Sequence, residues 1–204
     1  DQIYADSLTL GANTVLTSTG GGTIALAAVS GARRLDVHTA GTTRFGGAVS
    51  VAELTTDSGG TTEVAGGTIV TSGRQTYGDD VSLGADAVLT STGAGDIDLG
   101  PSVTGTHALT IDTAGTTVLR DLDVGSLETK GGGTTSLSGS VTTIGGQTYR
   151  EDVAVDGDSI LTSTGAGEIA FAGTVGSAGA KSLAVDTSGI TRFAGAVGGG
   201  GRAL

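Results

Sequence analysis

The chain has 204 residues, a formal net charge of −11, 39 Gly, one Pro and no Cys, Met or Trp. Gly, Ala, Ser and Thr account for 116 of the 204 residues and aromatics for only 3%. That profile excludes a disulfide or zinc framework, an apolar membrane-spanning segment, and a nucleic-acid binder built on basic patches and stacking rings. It also argues against an ordinary globular enzyme, whose core needs bulkier side chains.

Gly and Ser are plentiful, yet charged residues are only 15% and mean hydropathy is +0.18, the reverse of a disordered chain. In chain order, short alternating runs appear at Leu8-Thr9-Leu10, Ile24-Ala25-Leu26, Leu35-Asp36-Val37, Ile97-Asp98-Leu99 and Val153-Ala154-Val155. Alternation over three to five residues, with Thr, Val and Ile enriched, predicts strands. Glycines at 41, 59–60, 66–67, 84, 131–133 and 145–146 interrupt the chain too often for a helix of useful length.

Self-similarity is the most informative feature. Gln2-Ile3-Tyr4 recurs as Gln75-Thr76-Tyr77 and Gln147-Thr148-Tyr149, at periods of 73 and 72 residues. Fourteen residues after each Gln comes Leu-Thr-Ser-Thr-Gly, beginning at Leu16, Leu89 and Leu161. A third set begins at Leu35, Leu109 and Leu183, each followed by a Thr-Ala-Gly or Thr-Ser-Gly corner. The internal repeats are therefore 2–74, 75–146 and an incomplete 147–204, within a single unit spanning 1–204. The landmarks divide each repeat into four sub-units of about 18 residues, which predicts about eleven coils.

Short strands at this spacing predict an all-β fold, a parallel β-helix or β-solenoid, with a sandwich of tandem domains as the other possibility. One coil cannot bury its inward row, but stacked coils share a continuous core and satisfy each other's backbone groups. Eleven coils at the inter-strand spacing of about 4.8 Å make a rod of about 50 Å. The chain opens at Asp1-Gln2-Ile3-Tyr4 and closes at Gly201-Arg202-Ala203-Leu204, both within a repeat. We therefore expect it to be a stretch of a longer protein, with adjoining coils of the parent chain as its nearest partners.

The phrase over 75–93, the Asp-Thr-Ala-Gly-Thr-Thr run at 112–117 and the Arg-Phe-Ala-Gly-Ala-Val run at 192–197 resemble repeats of giant bacterial surface proteins. These are the filamentous-haemagglutinin-like and autotransporter-like adhesins. The resemblance spans essentially the whole chain. It implies a right-handed parallel β-helix, an extracellular or cell-surface location, and a structural, non-enzymatic stalk in adhesion or cell–cell contact. It supplies no catalytic residue, metal or cofactor.

Several residue sets bear on chemistry. Tyr4, Tyr77 and Tyr149 recur once per four expected coils, about 19 Å apart, too far for two rings to grip one sugar. Packing at a coil corner is the better reading. Phe45, Leu119 and Phe193 share one position of the repeat, and interchange with Leu indicates core. The Thr-Ser-Thr phrases resemble ice-binding arrays but recur too rarely to form a grid. The acid pairs Asp79-Asp80, Asp96/Asp98, Asp121/Asp123 and Asp156/Asp158 match no calcium-loop pattern. They read as solvated edge charge that discourages lateral association. His38 and His107 occupy unrelated positions without Cys, which disfavours a metal site or a nucleophilic triad.

The leading expectation is thus a rigid spacer. The second is a carbohydrate-binding or carbohydrate-cleaving β-helix, which would need acids, Arg or aromatics gathered on one face within about 10 Å. The third is a module that stacks end to end into filaments. Surface glycans or proteins of a host or neighbouring cell are the expected external partners. The acidic balance disfavours nucleic acid, and no segment is apolar enough to insert into a membrane.

Overall fold

A computed structural model describes residues 1–198 of the chain; the closing Gly201–Leu204 lies outside them. The described residues are all β, with no helix, and every strand pairing is parallel within one 25-stranded sheet system. The fold is a three-sided β-solenoid. Its first face starts at Gln2–Tyr4 and climbs through Ile24–Leu26, Thr42–Phe45 and Thr61–Val64. The second starts at Leu8–Thr9 and the third at Thr14–Ser18.

Parallel pairing follows from winding, because each turn of chain returns to the same face in the same direction. One column of partners on the first face runs Gln2, Ile24, Thr43, Thr62, Val81, Val103, Leu122, Val141, Leu161, Val185. The described residues therefore complete about ten turns, of about 20 residues each, and nine inter-turn steps make a rod of about 43 Å. Some strands carry the chain around a corner without a break. Val29–Thr39 serves the second and third faces, and its pairing shifts between Gly31 and Arg34.

The expected eleven coils of 18 residues are corrected by this phase. Four sub-units per repeat are not four turns. Gln75 lies on the third face, paired with Leu54 and Ile97. Leu89, Leu109 and Leu127 lie on the second, and Leu127 pairs with Gln147 there. The 14-residue step from Gln75 to Leu89 thus crosses two faces rather than closing a turn. One repeat spans three turns and two further faces, eleven strand segments in all, so successive copies of a motif never stack. Tyr4 sits on the first face, Tyr77 on the third and Tyr149 on the second.

Alternation places Leu, Ile and Val inward on all three faces, where they form one continuous core from Leu10 to Val175. On the second face the inward column ends in an aromatic ladder. Tyr149 stacks on Phe171 at 5.0 Å between ring centroids, and Phe171 on Phe193 at 4.7 Å. Phe45 and Leu119 are fully buried, whereas Phe193, in the last described turn, remains 41% exposed. Leu89, Leu161, Leu35 and Leu109 are buried, Leu16 is at the margin of burial, and Tyr4 and Leu183 are partly buried against the core.

Candidate functional site

The Gln-x-Tyr motif is an internal polar lock. Gln75 and Tyr77 are buried, as are Gln147 and Tyr149. Each Tyr hydroxyl donates to its own Gln Oε1, at 3.1 Å for Tyr77 and 3.0 Å for Tyr149. The Gln Nε2 then donates to main-chain oxygens on both sides of a corner: Gln147 reaches Val141 O and Thr162 O, each at 3.0 Å. Residues i and i+2 point the same way in a strand, so the spacing alone brings the two side chains together. The same bond joins Tyr4 to Gln2 at 3.1 Å. Burial pushes the Tyr77 and Tyr149 phenols well above their ordinary titration range, so they act as permanent donors.

The Leu-Thr-Ser-Thr-Gly and Thr-Ala-Gly phrases build the corners. Ser91 Oγ accepts from Gly95 N at 2.9 Å and donates to Gly73 O, one turn below, at 2.8 Å. Ser163 repeats both bonds with Gly167 and Gly145. In the next turn Thr113 Oγ1 donates to Gly95 O at 2.7 Å and accepts from Gly115 N at 2.9 Å. Thr39 and Thr187 do the same in the other copies. These bonds satisfy backbone groups that a bending strand cannot pair.

Of the paired acids, Asp80, Asp121, Asp123, Asp156 and Asp158 are exposed, and several acids also act as acceptors between turns. Asp86, Asp96, Asp121 and Asp152 each accept a backbone N–H one turn away, from Ala108, Thr116, Ser140 and Thr174, at 2.7–2.9 Å. Backbone hydrogen bonds hold the Asp152 and Asp158 carboxyls below the usual carboxylate range. Asp156 accepts from Ser136 Oγ at 2.6 Å, and Asp80 from Ser102 Oγ at 2.6 Å.

Asp79 departs furthest from the expectation, because it is buried, as is Glu151 at the equivalent position. Asp79 Oδ1 accepts from Thr62 and Thr56 hydroxyls at 2.8 and 3.0 Å, while Oδ2 has no partner. Glu151 is one methylene longer and satisfies both oxygens, from Thr135 Oγ1 at 3.0 Å and Gly133 N at 3.2 Å. Beneath Thr62 and Thr135 lie Thr43 and Thr117, buried and with unpaired hydroxyls. Desolvation pushes both carboxyls up, opposed in part by the hydroxyl and amide donors.

A marked concavity lies outside this frame. A groove of about 510 Å³ on the third face is lined by Arg34, Glu53, Arg74 and Asp96, with Thr55, Thr76 and the Gly73 and Ala94–Gly95 corners. A second concavity of about 370 Å³ shares Arg34, Glu53 and Gly73 and extends to Asn13. Arg34 pairs with Glu53 in register, and Gln75 pairs with both Leu54 and Ile97. Asn13, Arg34, Glu53, Arg74 and Asp96 therefore stand one above another at about 4.8 Å intervals, a column of alternating charge. Arg34 bonds Asp36 at 2.7 Å. Among the described residues, neither the Glu53 carboxylate nor the Arg74 guanidinium makes a hydrogen bond, and Arg74 makes no ion pair. Asp98, just beyond, is neutralised by Arg120, which grips both its oxygens.

The sequence carries a signal for this groove: each of the four charged residues immediately precedes an inward residue, Leu35, Leu54, Gln75 or Ile97. Among the described residues there is no cluster of three potential metal ligands, and no helix long and apolar enough to cross a membrane. His107 Nδ1 lies 3.5 Å from Asp86, and His38 is an exposed strand residue remote from it in the sequence. Compared with known proteins, the chain matches no protein family, no curated protein and no solved structure.

Proposed function

We propose that this chain is a non-enzymatic stretch of a large, surface-exposed bacterial adhesin, a rigid spacer that holds a more distal binding region away from the cell. The observation that carries the reading is the repeat's phase. The repeated side chains are used inward, in the Gln–Tyr locks, the hydroxyl corners and the buried carboxylates. The phase then distributes each motif over three faces, so the repeat builds length without building a preferred side. Coil-to-coil pairing along the whole column resists bending, as a spacer requires.

Exchange in the parent protein tests the reading. Replacing these residues by an unrelated rigid rod of equal length preserves cell–cell contact, and deleting one 72-residue repeat weakens it by shortening the reach about 18 Å. Loss of contact with the equal-length rod would overturn the spacer role.

A further inference from the structure

We propose that the groove along Asn13, Arg34, Glu53, Arg74 and Asp96 is a binding site for a neutral, linear oligosaccharide lying along the rod axis. The inference is independent of the spacer reading, since a spacer needs no such groove. Its first support is the divergence between repeats. The core residues beside the groove are kept or conservatively changed in the next copy, as Leu109, Leu127, Gln147 and Ile169. The outward residues before them become Ala108, Ser126, Gly146 and Glu168. The scaffold is repeated while most of the charged column is not, and Glu53 and Arg74, unlike Asn13, Arg34 and Asp96, make no hydrogen bond that serves the scaffold.

Its second support is unused bonding capacity. Arg74 offers the fork of guanidinium donors and Glu53 up to four acceptor sites, and the fold uses neither side chain for a hydrogen bond. A groove of about 510 Å³ falls within the usual range for small-ligand sites.

The chemistry of the lining selects the ligand class. Two guanidiniums alternate with two carboxylates, so the groove carries little net charge, and the Thr55 and Thr76 hydroxyls add neutral donors and acceptors. An anion drawn to Arg74 would meet Glu53 and Asp96 on either side, and a cation drawn to either carboxylate would meet Arg74. A polyhydroxyl chain avoids both conflicts, because every hydroxyl donates to a carboxylate and accepts from a guanidinium. An extended peptide of alternating charge fits the column poorly. Its side chains on one face repeat every ~6.8 Å, against ~4.8 Å between turns. No aromatic ring lines the groove, so affinity rests on hydrogen bonds to solvated groups and is weak, roughly millimolar.

The test is titration of the isotope-labelled 204-residue chain, followed by amide chemical shifts. The probes are linear neutral tetrasaccharides of glucose, galactose and mannose, a uronate-containing tetrasaccharide, and an alternating Lys-Glu octapeptide. The expected result is saturable shifts with at least one neutral tetrasaccharide, centred on Thr55, Gly73, Thr76 and Gly95. Arg74→Ala, at an exposed and unpaired position, lowers that affinity at least tenfold without moving the melting temperature. Saturation by the uronate or the peptide alone would overturn the ligand class. Absence of saturation with every probe, shifts centred elsewhere, or full affinity in the folded Arg74→Ala variant would overturn the site.

Discussion

At the residue scale, the repeated polar side chains are interior parts. The Tyr149 hydroxyl is the donor to Gln147 Oε1, in a site with no exposure. Tyr149→Phe leaves that acceptor buried and unpaired, at a cost of about 1–3 kcal/mol. Chemical denaturation compared with the parent chain measures it, and an unchanged midpoint would show that the lock is not needed. The Gln-x-Tyr spacing was legible from sequence as a recurring pair, but its bond was not, because alternation places two residues on one side without saying which side is wet. Asp79 and Asp80 show the same limit. They are neighbours of one type, yet one is buried over Thr56 and Thr62 of the turn below and the other is exposed.

The buried acids carry a signed prediction. Their folded-state affinity for protons is raised by burial, so the folded chain binds protons more tightly than the unfolded chain. Their contribution is fully present below the ordinary carboxylate range, near pH 4, and is lost as pH rises through their elevated folded values. Asp152 and Asp158 act oppositely and in a lower window, since their pKa values are depressed. Between neutrality and about pH 4.5, therefore, the melting temperature rises as pH falls. Relief of repulsion among the excess acids adds to the same trend. The Asp79→Asn, Glu151→Gln double variant separates the two, because it removes the buried share and flattens the slope; a slope equal to that of the parent would contradict the assignment.

At the element scale, strand existence was legible and corner geometry was not. Alternating triplets such as Ile24-Ala25-Leu26 became inward-outward-inward strands. The corners depend on approach between turns, which a linear pattern does not display. At Gly133 a Cβ would run into the carbonyl oxygen of Gly115 in the turn below, whereas at Gly11 it would meet nothing. Gly133→Ala consequently destabilises by about 1–3 kcal/mol, the usual consequence of overpacking. Gly11→Ala is neutral or slightly stabilising, through reduced freedom of the unfolded chain. Thermal melts of the two variants check the contrast; equal melting temperatures would show that the corners relax freely.

At the scale of the whole molecule, the sequence disclosed a solenoid but mistook its pitch. The 72-residue period is real, and so is its division by Leu landmarks. The 14-residue step was the clue to the phase, since it is too short for a turn of about 20 residues and right for two faces. Missing it placed the three Tyr on one line, where the fold rotates them onto three. It also left the groove unread, because Arg34, Glu53, Arg74 and Asp96 align only when successive turns are stacked in the true register.

That register is the central claim, and the absence of Cys from the chain makes cysteine pairing its most direct measurement. Thr55 and Thr76 are partners in adjacent turns of the third face, with Cα atoms about 4.8 Å apart, within disulfide reach. Thr90 is paired instead with Val70 and Asp112 on the second face. Under mild oxidation the Thr55→Cys, Thr76→Cys variant forms an intramolecular disulfide rapidly, and the Thr76→Cys, Thr90→Cys variant does not. Rapid closure of the second pair, or failure of the first in the folded chain, would contradict the stacking described.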